Sequence, residues 1–284
     1  MIFNKPLKTP MHLSLILGQA LLLCNVAYAQ EQGRDAQKWT PYADIEGKIG
    51  NKRDLGEISV FIPVRQSEDT LLFTDLRFRS DNNSSQEGNI GLGVRRMLSN
   101  GWNLGGYAYY DRRKTSHDNH VSQITIGAEA LGADWDARIN AYQPIGRKEH
   151  HIDGMNSATI SGTSIFLRSG KEIALKGFDA EVGYRLPVFK SDDKVNLRIY
   201  AGGYHFSSNV SGVDDVSGPR VRLDLTYDDL PFAWQGSRLS VGLEWQRDDP
   251  RGTQSFLSVR LRIPFGASTG QSSLAKRRLP KSEE

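Results

Sequence analysis

The sequence predicts an all-β protein, a twelve-stranded antiparallel transmembrane β-barrel. Three observations carry that expectation: an export signal at the N-terminus, apolar–polar alternation of period two from residue 42 onward, and connections that alternate between short and long.

Lys5 and Lys8 make a positive leader, Leu13 to Val26 an apolar run, and Ala27-Tyr28-Ala29 a small-residue cleavage site, so residues 1–29 read as a signal peptide cut after Ala29. Gln19 and Asn25 interrupt the run, and no other stretch approaches the ~18 apolar residues of a spanning helix. Cys24, the single cysteine of the chain, leaves with this peptide. Leu23 in front of it is not the small residue that lipid attachment requires. A mature chain from Gln30 holds no thiol, so its stability in an oxidising compartment rests on no disulfide.

Removing Lys5 and Lys8 takes the 36 basic residues to 34, against 33 acidic ones. A nucleic-acid partner, which would call for a basic excess, is not expected. An apolar fraction of 38% and a mean hydropathy of −0.48 exclude a helical membrane protein. They allow a barrel, in which only every second residue meets lipid.

Twelve alternating segments fall at 42–50, 55–65, 70–79, 87–98, 102–112, 120–132, 134–143, 177–187, 194–206, 218–228, 238–247 and 252–265. In the seventh, Trp135, Ala137, Ile139 and Ala141 share one face, and Asp136, Arg138, Asn140 and Tyr142 the other. The last sets Leu257, Val259, Leu261, Ile263 and Phe265 against Ser258, Arg260, Arg262 and Pro264. A soluble sandwich alternates too, but its polar face usually carries Lys, Thr and Ser. Here that face is rich in Arg, Asp, Glu, Gly and Tyr. An even number of strands also lets the sheet close, which removes edges that lipid would not tolerate.

With both terminal strand ends in the periplasm, even-numbered connections should be short and odd-numbered ones long. Gln66 to Asp69, Ser99 to Gly101, Gly132-Ala133 and Lys190 to Lys194 fit the first class. Ser80 to Gln86, Arg113 to Asn119, 144–176 and Ser207 to Ser217 fit the second, while 229–237 and 248–251 depart from the rule. The stretch 144–176 is expected to be the largest surface loop, with a small hairpin hinted by Ile165-Phe166-Leu167 and Ile173-Ala174-Leu175. Trp102, Tyr110, Trp135, Tyr227, Trp245 and Phe265 near strand ends suit interfacial girdles. Arg96 is the one charge expected to point outward. Three residues before the Ser99-Asn100 turn, it costs about 0–1 kcal/mol at an interface rather than about 2–4 at the midplane.

The polar phase then points inward. Asp75, Arg77, Arg95, Asp111, Glu129, Asp136, Arg138, Asp179, Arg185, Arg198, Asp224, Glu244 and Arg260 are the candidates for the lumen. Paired charges there hold the barrel's shape. A second use is a hydrophilic path for an extended polypeptide, since a twelve-stranded barrel lies between the filled eight-stranded and the aqueous sixteen-stranded ones.

These segments also resemble a known family. Thr70-Leu71-Leu72-Phe73-Thr74-Asp75-Leu76-Arg77 followed by Gly88-Asn89-Ile90-Gly91-Leu92-Gly93-Val94-Arg95-Arg96 is similar to the start of the inverse autotransporter barrel found in intimins and invasins. Gly101-Trp102-Asn103-Leu104-Gly105-Gly106-Tyr107-Ala108-Tyr109-Tyr110-Asp111, Ile126 to Ala130, Asn140 to Pro144 and Phe178 to Pro187 follow in the family's order, so the likeness runs over roughly 40–265. The resemblance implies a twelve-stranded outer-membrane translocator of type Ve secretion, assembled by periplasmic chaperones and the barrel-assembly machinery. It also implies export of a C-terminal adhesin passenger, encoded with the barrel or separately. Family members run on for hundreds of residues past the barrel, whereas 19 residues follow Phe265 here. Ser273-Leu274-Ala275-Lys276-Arg277-Arg278 resembles the start of the passenger linker. The expected organisation is a signal peptide at 1–29, a short periplasmic segment at 30–41, the barrel at 42–265, and a linker or truncated tail at 266–284. Adhesion belongs to the passenger and is not carried over.

A stand-alone porin-like channel is the alternative, and an enzyme a further class. Asp111 with His117 or His120, and His205 near Ser207, are the catalytic pairs to weigh. No nucleophile elbow or orienting third group accompanies them, so no catalytic residue is expected. Glu149, His150, His151 and Asp153 make no closed ligand set, and no metal or cofactor is expected.

Overall fold

The computed structural model describes residues 39–265 apart from 153–156, 162–163, 169, 191–192, 211, 232 and 234; of 157–161 and 164–168 only the strand pairing is described. The proposed signal peptide, most of the segment 30–41 and the tail 266–284 therefore lie outside the described residues. Among the described residues no helix is long and apolar enough to cross a membrane. The elements are sixteen strands: β1 (Tyr42–Gly50), β2 (Leu55–Gln66), β3 (Thr70–Asp81), β4 (Gln86–Met97), β5 (Asn103–Lys114), β6 (His120–Leu131), β7 (Trp135–Ile145), β8 (Glu149–His151), β9 (Ser157–Ser161), β10 (Ser164–Arg168), β11 (Lys171–Ile173), β12 (Lys176–Arg185), β13 (Val195–Ser207), β14 (Val216–Asp228), β15 (Arg238–Asp248) and β16 (Gly252–Pro264).

Twelve of them close into one antiparallel barrel in the order β1-β16-β15-β14-β13-β12-β7-β6-β5-β4-β3-β2. The seam pairs β1 with β16 from Tyr42↔Pro264 to Gly50↔Phe256. Closure leaves no unpaired edge, and one face of every strand turns outward. Ile45, Ile90, Leu92, Ile126, Ile139, Phe178, Val182, Leu243 and Val259 stand exposed there, so a broad apolar surface lies on the outside of this protein. That is inverted relative to a soluble domain and matches a sheet solvated by lipid.

The connections β2–β3, β4–β5, β6–β7, β12–β13 and β14–β15 share one end of the barrel, the turn end, with Tyr42 and Pro264. The others share the loop end. The longer turn-end connection 229–237 is folded on itself: the Asp229 amide donates to the Ser237 carbonyl (2.8 Å) and the Gly236 amide to Asp229 Oδ1 (2.7 Å).

Two expectations are corrected. The long loop does contain hairpin structure, but β10 pairs with β9 and β11 with β8, so Ile165–Leu167 does not pair with the stretch beginning at Ile173. Pairing nearest neighbours in sequence closes the shorter loop at the lower entropy cost. The stem is tied to the next loop, where Thr115 Oγ1 and Asn119 Nδ2 both donate to Glu172 Oε2 (2.8 and 2.9 Å). Nor is Arg96 the one outward charge. A β-bulge between Pro63 and Arg65 resets the alternation of β2 and turns Arg65 outward beside Leu72. Arg112, Lys114, Lys176 and Arg247 occupy exposed outward positions near the loop end. Arg96 itself lies 3.8 Å from Asp69 at the turn end.

Candidate functional site, the barrel lumen

Alternation sends the polar phase of each strand inward, where pairing is set by register. Neighbouring strands meet at about 4.8 Å, so a charge on one strand meets whichever residue stands opposite or two positions along. Glu129 on β6 takes Arg95 from β4 (2.5 Å) and Arg138 from β7 (3.4 Å). Glu181 on β12 takes Arg138 (3.5 Å), Arg220 (3.5 Å) and Arg222 (2.9 Å), the last two from β14. Arg220 also reaches Asp179 (3.4 Å), and Arg222 also pairs with Asp224. Asp179 further accepts Asn140 Nδ2 (2.8 Å) and the Tyr142 hydroxyl (3.1 Å). One connected network thus spans β4 to β14.

The remaining wall is paired more locally. Arg77 forks onto Asp75 (2.9 and 3.0 Å) and donates to the Tyr109 hydroxyl (2.8 Å). At the seam Arg260 binds Glu46 and Arg262 binds Asp44, each at 2.8 Å, and Lys48 binds Glu244 at 2.8 Å. Asp111 is held by neutral donors: Asn89 Nδ2 (2.6 Å), Gln123 Nε2 (3.4 Å) and the Thr125 hydroxyl.

A central cavity of about 540 Å³ remains between these walls. Of the thirteen lumen candidates, Asp75, Arg77, Arg95, Asp111, Glu129, Arg138, Asp179, Glu244 and Arg260 line it. Arg198 and Asp224 line an adjoining pocket of about 120 Å³. Asp136 sits behind Arg198 (3.3 Å) and accepts the Tyr200 hydroxyl (3.0 Å). Arg185 is placed differently: it forks onto Asp134 (2.8 and 2.6 Å) at the turn-end mouth. Glu181, Arg220, Arg222, Asp44 and Arg262 were not among the candidates, although they stand in the same inward phase of the alternation.

A second feature went unread in the sequence. The lumen is apolar at the turn end, where Trp39, Phe61, Leu71 and Phe73 are buried together with Tyr42, Met97 and Tyr107 against them. Tyr42 stacks on Phe61 (4.8 Å between centroids, 10° between planes) and Phe61 packs on Phe73 (5.0 Å). Trp39 is pinned by two bonds with Gln66: its amide donates to Oε1 (2.9 Å) and its carbonyl accepts from Nε2 (3.1 Å). Arginines lie over two ring faces, Arg95 on Phe73 at 4.8 Å and Arg262 on Tyr42 at 3.6 Å.

The inward glycines make these rings possible. A Cβ at Gly93 would stand 2.3 Å from Phe73 Cζ, and one at Gly91 2.3 Å from the Tyr109 ring. Gly93→Val is therefore expected to destabilise the folded barrel by about 2 kcal/mol through overpacking. Gly88→Val, at an open outward position, should change stability little. Denaturant midpoints of both variants in vesicles check this, and equal midpoints would rule it out.

The structure parts one candidate catalytic pair, Asp111 with His120. Asp111 points inward and His120 outward on neighbouring strands, and His205 lies against Phe178 with ring centroids 5.7 Å apart. His150 and His151 are consecutive on β8 and so face opposite ways.

A lipid-facing apolar exterior around a charge-lined lumen defines this molecule as an integral outer-membrane β-barrel. Residues 34–214 match the family described as inverse autotransporter, beta-domain, and the chain belongs to that family. No curated protein matches the sequence. Among solved structures, a chain from work on the in-meso crystallization of membrane proteins is similar at a TM-score of 0.59 and 17% identity, covering 86% of this chain and 89% of that one. The translocator domain of the autotransporter NalP from Neisseria meningitidis aligns at a TM-score of 0.42 and 12% identity, covering 89% and 98%.

Proposed function

We propose that the barrel anchors and exports a C-terminal adhesin-type passenger through its own lumen, with the turn end in the periplasm and the loop end at the cell surface. Membership of the inverse autotransporter family supports the role, and the observation that carries it is the 540 Å³ cavity walled by paired charges. A translocating strand needs hydrogen-bond partners along its backbone but no wall that binds it firmly. Charges already paired offer many weak contacts and no strong one. We infer that the linker following Phe265 leads a passenger from the turn end back through the lumen; residues 266–284 themselves lie outside the described residues. Those 19 residues reach about 60 Å when extended, twice the ~30 Å hydrocarbon core. No reaction is assigned to the barrel, and its other partners are the lipid and the factors that fold it. A stand-alone diffusion channel is the second reading, favoured by the same open cavity.

The test joins topology to export. An epitope inserted at Asn156, and a tagged passenger fused after Glu284, should both be labelled on intact cells. A cysteine at Ser273 should cross-link to one at Asp179. A surface-labelled Asn156 epitope with the passenger held in the periplasm and no cross-link would leave the channel reading in its place.

A further inference from the structure

Charge is sorted by face in this barrel. Every Asp and Glu of the twelve barrel strands stands in the inward phase, among the described residues. The outward phase holds cations alone: Arg65 and Arg96 at the turn end, and Arg112, Lys114, Lys176 and Arg247 at the loop end. Packing does not require this, since all six are at exposed or nearly exposed rim positions where a carboxylate would fit equally well. A layer of phosphates beside the outer wall attracts the one sign and repels the other.

The loop-end cations also cluster. Arg112 and Lys114 are two apart on β5 and so share a face about 7 Å apart. Across the ladder His120 stands opposite Lys114, and Ser122 opposite Arg112. Lys176 opens β12, three strands away, or about 14 Å around the wall. Arg112 makes no ion pair among the described residues. Lys114 binds Asp118 (2.7 Å), a loop carboxylate that is 83% exposed and free to swing aside. Below the cations lies an apolar floor of Tyr110, Ile126, Ile139 and Phe178, all exposed.

We propose that this rim, centred on Arg112 and Lys114, docks a lipid A type glycolipid, its phosphates on the cations and its acyl chains on the floor. Two cations side by side with a third about 16 Å from the nearer of them, at the level of Tyr110 three strands around the wall, match a headgroup carrying two phosphates at opposite ends of a disaccharide. A glycerophospholipid, with one phosphate, would engage only one end. The inference rests on the membrane placement proposed above.

The probe is diphosphoryl lipid A added to the purified, folded barrel in non-ionic detergent and read by native mass spectrometry. Monophosphoryl lipid A and phosphatidylglycerol serve as comparison ligands. Wild type should retain the diphosphoryl form most strongly, and R112S/K114S should lower retention about tenfold. R65S/R96S, at the other end, should leave it unchanged. A heat-dependent gel shift verifies folding, and K114Q alone, expected to lower retention about threefold, serves if the double variant does not fold. Retention by R112S/K114S equal to wild type overturns the site. Phosphatidylglycerol retained as strongly as diphosphoryl lipid A overturns the glycolipid assignment. An Asn156 epitope labelled only in permeabilised cells would instead overturn the placement while leaving the detergent result standing.

Discussion

Arg238→Met is expected to lower the stability of the barrel by about 3 kcal/mol, the lower end of the range for breaking a buried ion pair. Arg238 opens β15 opposite Asp228, the last residue of β14, and the two meet at 2.5 Å with side-chain exposures of 8% and 1%. Methionine keeps the length of the arginine stem but removes the charge that compensates a fully enclosed carboxylate. Arg238 borders a pocket of about 120 Å³ lined by charged and polar side chains, and screening there favours the lower figure. The pair also sits where the turn-end connection 229–237 leaves the barrel, so the hydrogen bonds that fold that connection depend on it. Removing both charges in D228N/R238M should recover more than half of the loss, because a neutral amide is cheaper to bury than a lone carboxylate. Arg96→Gln is the control: that pair is 3.8 Å apart and largely exposed, and it is worth close to zero. Urea unfolding in vesicles, followed by tryptophan fluorescence, reads all three. An Arg238→Met midpoint indistinguishable from wild type would refute the buried-pair account.

Trp39→Ala should show two effects at once. The indole is 8% exposed within the Phe61–Leu71–Phe73 cluster, and truncating a buried Trp costs about 3–5 kcal/mol. One side of this cluster faces the cavity that Trp39 helps to line, so water fills part of the space and about 3 kcal/mol is the expected loss. Unlike an ordinary core substitution, this one also widens a passage. Trp39 is bonded to Gln66 at the turn end of β2, and its indole lines the cavity there. Single-channel conductance in planar bilayers should therefore rise in Trp39→Ala, while Trp39→Phe should keep most of both properties. A destabilised variant whose conductance is unchanged would mean that the mouth is closed elsewhere.

These two predictions come from different levels of legibility. The pairing phase of Arg238 was visible in the alternation Leu239, Val241, Leu243, Trp245 against Ser240, Gly242, Glu244, Gln246, which extends back to Arg238. Trp39 had no such signal. It precedes the first strand by three residues, outside any periodic segment, and Gln66 on a different strand pins its backbone. Phe61 and Phe73 do fall in the inward phase, but nothing in period two says that the inside of a polar lumen turns apolar at one end. The β-bulge at Pro63/Arg65 is another limit. A proline in a strand marks irregularity, yet whether the phase slips there depends on the partner β3.

From sequence alone came twelve strands placed within a residue or two at most ends, the face on which most side chains stand, and the family; the leader it predicts lies outside the described residues. All of these rest on local properties: a pleated strand alternates whatever surrounds it, so composition by parity reveals the solvent on each side. The tertiary structure alone decided who meets whom. Glu181 gathers arginines from β7 and β14, Arg185 leaves the lumen for Asp134, and Asp111 parts from His120. Those outcomes depend on cross-strand register and on closure of β1 onto β16, contacts between residues far apart in the chain. No local period encodes them, because a two-residue slip of register would preserve every face and change every partner.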